Sequence, residues 1–203
     1  SFLPWLIRHV EIARGESTFH LELFPAFNYA LDSHQAEIIK YESHSKHKEI
    51  SSVGSHYVKF SSKNLQMDLR YVVKIGEGTA PHIDFKLLNH EEFNGPCLVA
   101  DFTLKETQEI IFIFREIPDK INIDTKEDDC ETIMYKSLNP DINFTLLNLM
   151  FRKTLVFWQN WIAQSIYKGR WRENVHRSAL TLKLLTYEPT GAVIAAPTFG
   201  LPE

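Results

Sequence analysis

The hydrophobic period of this chain changes once, near Asn139-Pro140, and that change constrains the fold more than any other feature. Before it, apolar residues recur at every second position. In "STFHLELFPAF", Phe19, Leu21 and Leu23 alternate with His20, Glu22 and Phe24. In "NLQMDLRYVVKIG", Met67, Leu69, Tyr71 and Val73 share one side, the mark of strands with two unlike faces. "RHVEIARG", "HIDFKLL", "CLVADFTLK", "EIIFIFREI" and "ETIMYK" read the same way, with turns at Gly15, Gly78 to Pro81 and Gly95-Pro96. Many short strands without intervening helices predict a mainly β chain whose residues 1–138 form an antiparallel β-sandwich.

After Asn139-Pro140, Leu147, Met150, Phe151, Leu155, Trp158, Trp161, Ile162 and Ile166 recur at intervals of three and four, one face of a long helix. Asn139 with Pro140 just inside it, or a cap a few residues later, starts this helix, and Lys168-Gly169 ends it. A second helix is expected from Trp171 to Tyr187. Its apolar residues fall on two faces, Trp171, Val175, Ala179 and Leu182 on one, Leu180, Leu184 and Tyr187 on the other. A helix apolar on two sides must be buried on two sides, and a sandwich covers only one. The expectation is therefore a piece of a larger protein: a sandwich over 1–138, a linker helix over 139–168, and in 169–203 the opening of a further helical domain. A self-contained sandwich with a C-terminal helical hairpin is the alternative. An uncovered helix face and an unpaired first strand would favour self-association.

Composition removes several classes. A chain of 203 residues buries about 70% of its unfolded surface and needs no staples. A net charge of −4 with scattered basic residues lacks the positive stripe that nucleic acid requires. No window approaches a membrane span, and "SFLPWLIRHVEI" has neither the basic start nor the cleavage site of a signal peptide, so no membrane partner and a cytoplasmic location are expected. Cys97 and Cys130 match no metal or redox spacing.

Three stretches carry a family resemblance: "FWQNWI" (Phe157 to Ile162), "YKGRWRENVHRSALTLKLL" (Tyr167 to Leu185) and "EPTGAVIAAPTFGLPE" (Glu188 to Glu203). They resemble the entry into the catalytic domain of glycoside hydrolase family 15, the glucoamylases, glucodextranases and bacterial-type trehalases. Upstream, "RGESTFHLELFPAFNYALD" resembles that family's "RG…F…PRFDYG" strand pair, with Ala26 and Asn28 where Arg and Asp are common. The resemblance implies a supersandwich-like N-terminal domain, a linker helix and the first helix of an incomplete (α/α)₆ barrel. It implies that the parent hydrolyses an α-glucosidic bond in trehalose or an α-glucan with inversion and without a cofactor. The two catalytic glutamates would then lie beyond residue 203, as would the motif that grips the nonreducing sugar. Of the present residues, Pro197, Thr198, Phe199, Leu201, Pro202 and Glu203 would form a wall of the substrate cleft, and carbohydrate would be bound through the missing barrel.

The residues themselves offer no rival chemistry. Inverting hydrolysis needs two carboxyls ~6.5–9.5 Å apart, one kept protonated by its surroundings. Asp128 and Asp129, with Glu127 and Glu131, read as a solvated acidic run, and Glu91-Glu92 as turn chemistry. Glu173 is placed to pair with Arg177 one helical turn on. His44 and His47 sit in a hydrophilic loop without a third ligand, so no metal site is expected. His9, His20, His56, His82 and His176 read as single polar neighbours on strands or the helix. Ser178 and His176, two apart on a helix, face different directions, and "GEG" at Gly76 to Gly78 reads as a hairpin turn. Trp158, Trp161 and Trp171 fall at core spacing. A non-catalytic portion of a hydrolase is the leading expectation. The alternatives are a free-standing carbohydrate-binding sandwich and a degenerate hydrolase relative with an interaction role.

Overall fold

A computed structural model describes residues 5–40, 51–75, 80–89, 94–117 and 140–195, with backbone alone at 51–53. The chain divides into two compact units, Ser1–Leu147 and Asn148–Glu203.

The first unit is an antiparallel β-sandwich. Its strands are β1 (Trp5–Glu11), β2 (Glu16–Leu23), β3 (His34–Lys40), β4 (Ser51–Val53), β5 (His56–Ser62), β6 (Gln66–Lys74), β7 (Asp84–Asn89), β8 (Pro96–Lys105) and β9 (Glu109–Glu116). The larger sheet runs β1-β9-β6-β5-β3, with β4 also on β6, and the smaller runs β2-β8-β7. Consecutive strands change sheet four times, and two of these changes are short corners, Gly15 between β1 and β2, and Glu106-Thr107 between β8 and β9. The corners are tied together, since Glu106 N–H donates to Gly15 O at 2.7 Å and Gly15 N–H donates to Glu106 Oε2 at 3.1 Å. Gly15 has φ +80°, which suits a residue without Cβ.

Alternation decides which side chains meet between the sheets. Leu69, Tyr71 and Val73 of β6, Ile110 and Phe112 of β9, and Leu98, Ala100, Phe102 and Leu104 of β8 form the main core with Val58, Phe60 and Phe85. The opposite face of the larger sheet is covered too. Val72, Ile111 and Ile113, with Trp5 and Ile7, meet Ile142, Phe144 and Leu147. A strand buried on both faces has no polar side to show, which is why the sequence of β9 reads as an unbroken apolar run.

One charged pair is enclosed on that second face. Asp68 and Arg115 are 0% and 2% exposed. Arg115 Nε donates to Asp68 Oδ1 at 3.0 Å, Arg70 Nε donates to Asp68 Oδ2 at 2.7 Å, and the Arg115 guanidinium lies 5.0 Å from the centre of the Trp5 ring.

Two irregularities mark the sandwich. Between Val53↔Val72 and Val58↔Leu69, four residues, 54–57, face two, Arg70 and Tyr71, a bulge that carries Gly54. A Cβ on Gly54 would lie 2.4 Å from the Tyr71 ring, so no larger residue fits there without displacement. Between β2 and β3, Asn28, Tyr29 and Ala30 take φ of 47°, 59° and 62°, a left-handed turn made without glycine. Leu31 N–H donates to Asn28 O at 3.0 Å, and Asn94 Nδ2 donates to Ala30 O at 2.6 Å.

The second unit is helical. Helix α1 (Phe144–Ala163) begins in the first unit and α2 runs Arg172–Leu184. The cap of α1 is Asn143, whose Oδ1 accepts from Leu146 N–H at 2.8 Å, three residues after Pro140. The helix does not reach Lys168-Gly169. It tightens after Ala163, where Gln164 N–H donates to Trp161 O at 3.3 Å and Ser165 N–H to Ile162 O at 3.1 Å, the shorter spacing with which helices commonly stop. Helix α2 is likewise shorter than Trp171 to Tyr187. Its chain turns at Leu185 into a small hairpin, β10 (Thr186–Tyr187) and β11 (Ala192–Val193). Gly191, at φ +73°, closes that turn by donating N–H to Tyr187 O at 2.8 Å. Among the described residues, no helix is long and apolar enough to cross a membrane.

Candidate functional site

The expected cleft wall, Pro197, Thr198, Phe199, Leu201, Pro202 and Glu203, lies outside the described residues. So do Glu91, Glu92, Glu127, Asp128, Asp129 and Glu131, the histidines His44 and His47, Cys130, the strand expected at "ETIMYK" and the turn at Gly76 to Gly78.

The described carboxylates form separate groups, each set by strand register. Asp68 is the buried one, and both its oxygens accept from guanidinium groups, which leaves neither free to protonate a leaving group. At the other end of the same face, Glu11 stands opposite Glu109, which stands opposite Lys74. His9 Nε2 is 3.0 Å from Glu109 Oε2, and Lys74 Nζ bonds Glu109 Oε1. Ligand atoms of His9, Glu11 and Glu109 gather within 4.8 Å of one another. The set already contains its own counter-charge in Lys74 and faces solvent.

The third group lies on the outer face of the smaller sheet. His20 stands opposite Asp101, and Asp101 opposite Asp84. His20 Nδ1 is 2.7 Å from Asp101 Oδ1 and its Nε2 is 3.1 Å from Glu22 Oε1. The carboxylate of Asp101, then that of Glu22, holds the imidazole pKa above its ordinary 6.5, against a smaller opposing effect of desolvation. His9 and His20 are therefore not the single polar neighbours expected from the sequence. Glu109 and Asp101 stand on other strands, out of reach of any local pattern, whereas Glu22 lies two residues from His20 on the same strand.

Among the described residues, two of the hollows on the first unit bear on this. One, about 370 Å³, is lined by His34, Gln35, Ala36, Leu87, Asn89 and Pro96 and holds no carboxylate. The other, about 420 Å³, holds Glu16 and Glu106 beside Gly15, Lys105 and Thr107. Its carboxylates are committed, Glu106 to Gly15 N–H and Glu16 to Lys105 at 4.0 Å. A general acid for glycoside hydrolysis needs a carboxyl whose surroundings favour its protonated form, across a sugar from a second carboxylate. Among the described residues, no pair stands so.

What the second unit presents instead is apolar surface. Among the described residues α2 buries none, and Trp171, Leu182, Leu184 and Tyr187 are all more than half exposed. On α1, Phe151 is 62% exposed and Val156 51%. Trp158 and Trp161 meet edge to face at 6.1 Å. Glu173 and Arg177 pair at 2.7 Å on the solvent side of α2, as their spacing predicts. Among the described residues, these apolar side chains of α1 and α2 stand largely uncovered.

Comparison with known proteins bears on that reading. Over 55 residues the chain is 49% identical to a trehalase of Thermoplasma acidophilum, a match covering 27% of this chain and 10% of the relative. It is 49% identical over 55 residues to a trehalase of Thermoplasma volcanium, covering 27% and 9%. It is 54% identical over 52 residues to a trehalase of Mycolicibacterium smegmatis, covering 25% and 8%. Over that stretch the chain is glycosidase-related. The match spans no more than a tenth of the length of these curated relatives. No protein-family model matches the chain, and no solved structure does.

Proposed function

We propose that this chain is a non-catalytic, sandwich-bearing portion of a trehalase-like glycoside hydrolase. The hydrolase would be of the family 15 type and would cleave the α-glucosidic bond of trehalose, or of an α-glucan, with inversion. The observation that carries the reading is the identity of about one half to trehalases over 52–55 residues. Two further observations support it. The described carboxylates are held in ion pairs or open to solvent, and helices α1 and α2 leave large apolar side chains uncovered. In this proposal 1–138 is the sandwich, 139–168 the linker helix, and 169–203 the opening of an α/α barrel. The catalytic carboxyls belong to the rest of that barrel, and Pro197 to Glu203 forms a wall of the cleft through which carbohydrate is bound. No cofactor enters, because inverting hydrolysis needs only a general acid, a general base and a water.

The test is glucose release from trehalose, maltose and a longer α-glucan. The 203-residue chain is compared with a longer polypeptide that carries it. Release by the longer polypeptide and none by the chain is the expected result. Release by the chain itself would place both carboxyls within these residues and end the proposal. Release by neither would leave an interaction role as the better reading.

A further inference from the structure

We infer that His20 is a proton-operated clamp on strand β2: in its doubly protonated form it ties this strand to β8, and on losing a proton it lets the strand's outer rungs loosen. The inference is independent of the hydrolase reading.

The geometry leaves one protonation state that satisfies it. Both ring nitrogens face carboxylate oxygens, Nδ1 at 2.7 Å from Asp101 and Nε2 at 3.1 Å from Glu22. An ionised carboxylate only accepts hydrogen bonds, and a neutral imidazole has a single N–H. Only the imidazolium makes both bonds. In the neutral ring one nitrogen lone pair would point at an oxygen of like character within hydrogen-bonding distance.

The surroundings add to the demand for positive charge. Asp84 of β7 stands opposite Asp101. Lys86, at 3.6 Å from Asp84, is the cation that answers it. On this face Asp101 and Glu22 contact His20, and Asp84 stands one strand further on beside Lys86.

The position of β2 makes the rung matter. Among the described residues β2 pairs with β8 alone. Its other outer-face rungs to β8 are Glu22 to Val99, Thr18 to Thr103, whose hydroxyls are 2.9 Å apart, and Glu16 to Lys105 at 4.0 Å. None of these rungs contains a histidine, the side chain whose ordinary pKa lies nearest neutrality. His20 is the rung of this ladder that changes.

The direction follows from linkage. The folded-state pKa of His20 lies above the ordinary 6.5. The clamp is therefore complete below about pH 6.5 and is lost as pH rises through the folded-state value. The bonds face solvent, so the effect on local opening is small, about threefold.

The experiment is amide hydrogen exchange of residues 16–23 in the whole chain, from mildly acidic to mildly alkaline pH and corrected for intrinsic exchange. The His20 ring is titrated by NMR beside it. Protection of β2 should fall about threefold across the His20 transition, and that transition should lie above 6.5. His20→Gln should remove this pH-dependent step and stay at the high-pH level. Asp101→Asn should move the His20 midpoint down while the sandwich stays folded. A midpoint at or below 6.5, or an unchanged pH step in His20→Gln, would overturn the inference.

Discussion

Phe60 and Phe151 are the same side chain in two situations. Phe60 is 0% exposed between the sheets, whereas Phe151, on α1, is 62% exposed. The difference extends to whole regions. In the sandwich, β9 is covered on both faces and even a charged pair, Asp68 with Arg115, is enclosed. In the second unit α2 buries no residue among those described. Both regions carry large apolar side chains, but among the described residues those of the second unit are mostly left uncovered. Burying a large side chain stabilises by about 1.5–3 kcal/mol, so helices that leave such residues uncovered keep that much stabilisation per residue available to whatever covers them.

The sharpest way to break this comparison is to truncate both phenylalanines. Phe60→Ala should destabilise by about 4 kcal/mol in denaturant unfolding, through lost burial and the cavity left behind. Phe151→Ala should change stability by less than about 0.5 kcal/mol. An equal cost at both sites would mean that α1 is covered in solution.

A somewhat smaller effect probes the enclosed pair. Asp68→Ala leaves the Arg115 guanidinium buried without its counter-charge and should cost about 3 kcal/mol in the same assay. Replacing Asp68 and Arg115 together by apolar residues of similar volume should recover most of that loss.

Strain also separates the regions. All the non-glycine residues with positive φ among those described, Asn28, Tyr29, Ala30 and Thr107, belong to the sandwich. Left-handed backbone costs an L-residue about 1–2 kcal/mol. Ala30→Gly should therefore raise stability by up to about 1 kcal/mol, after the extra freedom it gives the unfolded chain. A lower melting temperature for this variant would show that Ala30 is not strained. The smallest effect belongs to the helices. Glu173→Ala should cost about 0.3–0.5 kcal/mol of helix stability, read as a slight loss of helical circular dichroism, and the loss should vanish in high salt.

Legibility in the sequence followed the same division. Strands β1, β2, β6, β7, β8 and β9 were readable from their alternation or apolar density. Strands β3 and β5 were not named. "HQAEIIK" places its two isoleucines side by side, and "HYVKFSS" has only Val58 and Phe60 as its buried pair. Both helices are readable from their spacing, and their C-terminal ends are not. Of the two starts the sequence allows for α1, the later one holds, because the Asn143 side chain reaches Leu146 N–H. The hairpin after α2 was hidden in a segment whose Pro189 and Gly191 read as loop. The ionic groups were beyond reach for another reason. His20 and Asp101 are 81 positions apart, and Asp68 and Arg115 are 47. Only strand register brings such residues together.

The left-handed turn at Asn28 to Ala30 also bears on the order in which the sandwich assembles. Its anchor, Asn94, is 64 positions further along the chain, and the same residue's carbonyl accepts from His34 N–H at 2.9 Å, just past the turn. The turn's local bonds run from Leu31 N–H to Asn28 O and from Asp32 N–H to Phe27 O; the Asn94 contacts are added only when the chain around Asn94 arrives, and closing so long a loop is entropically costly. The turn should then set after the folding transition state. Substitutions at Ala30 or Asn94 should act on the rate of unfolding and leave the rate of folding nearly unchanged.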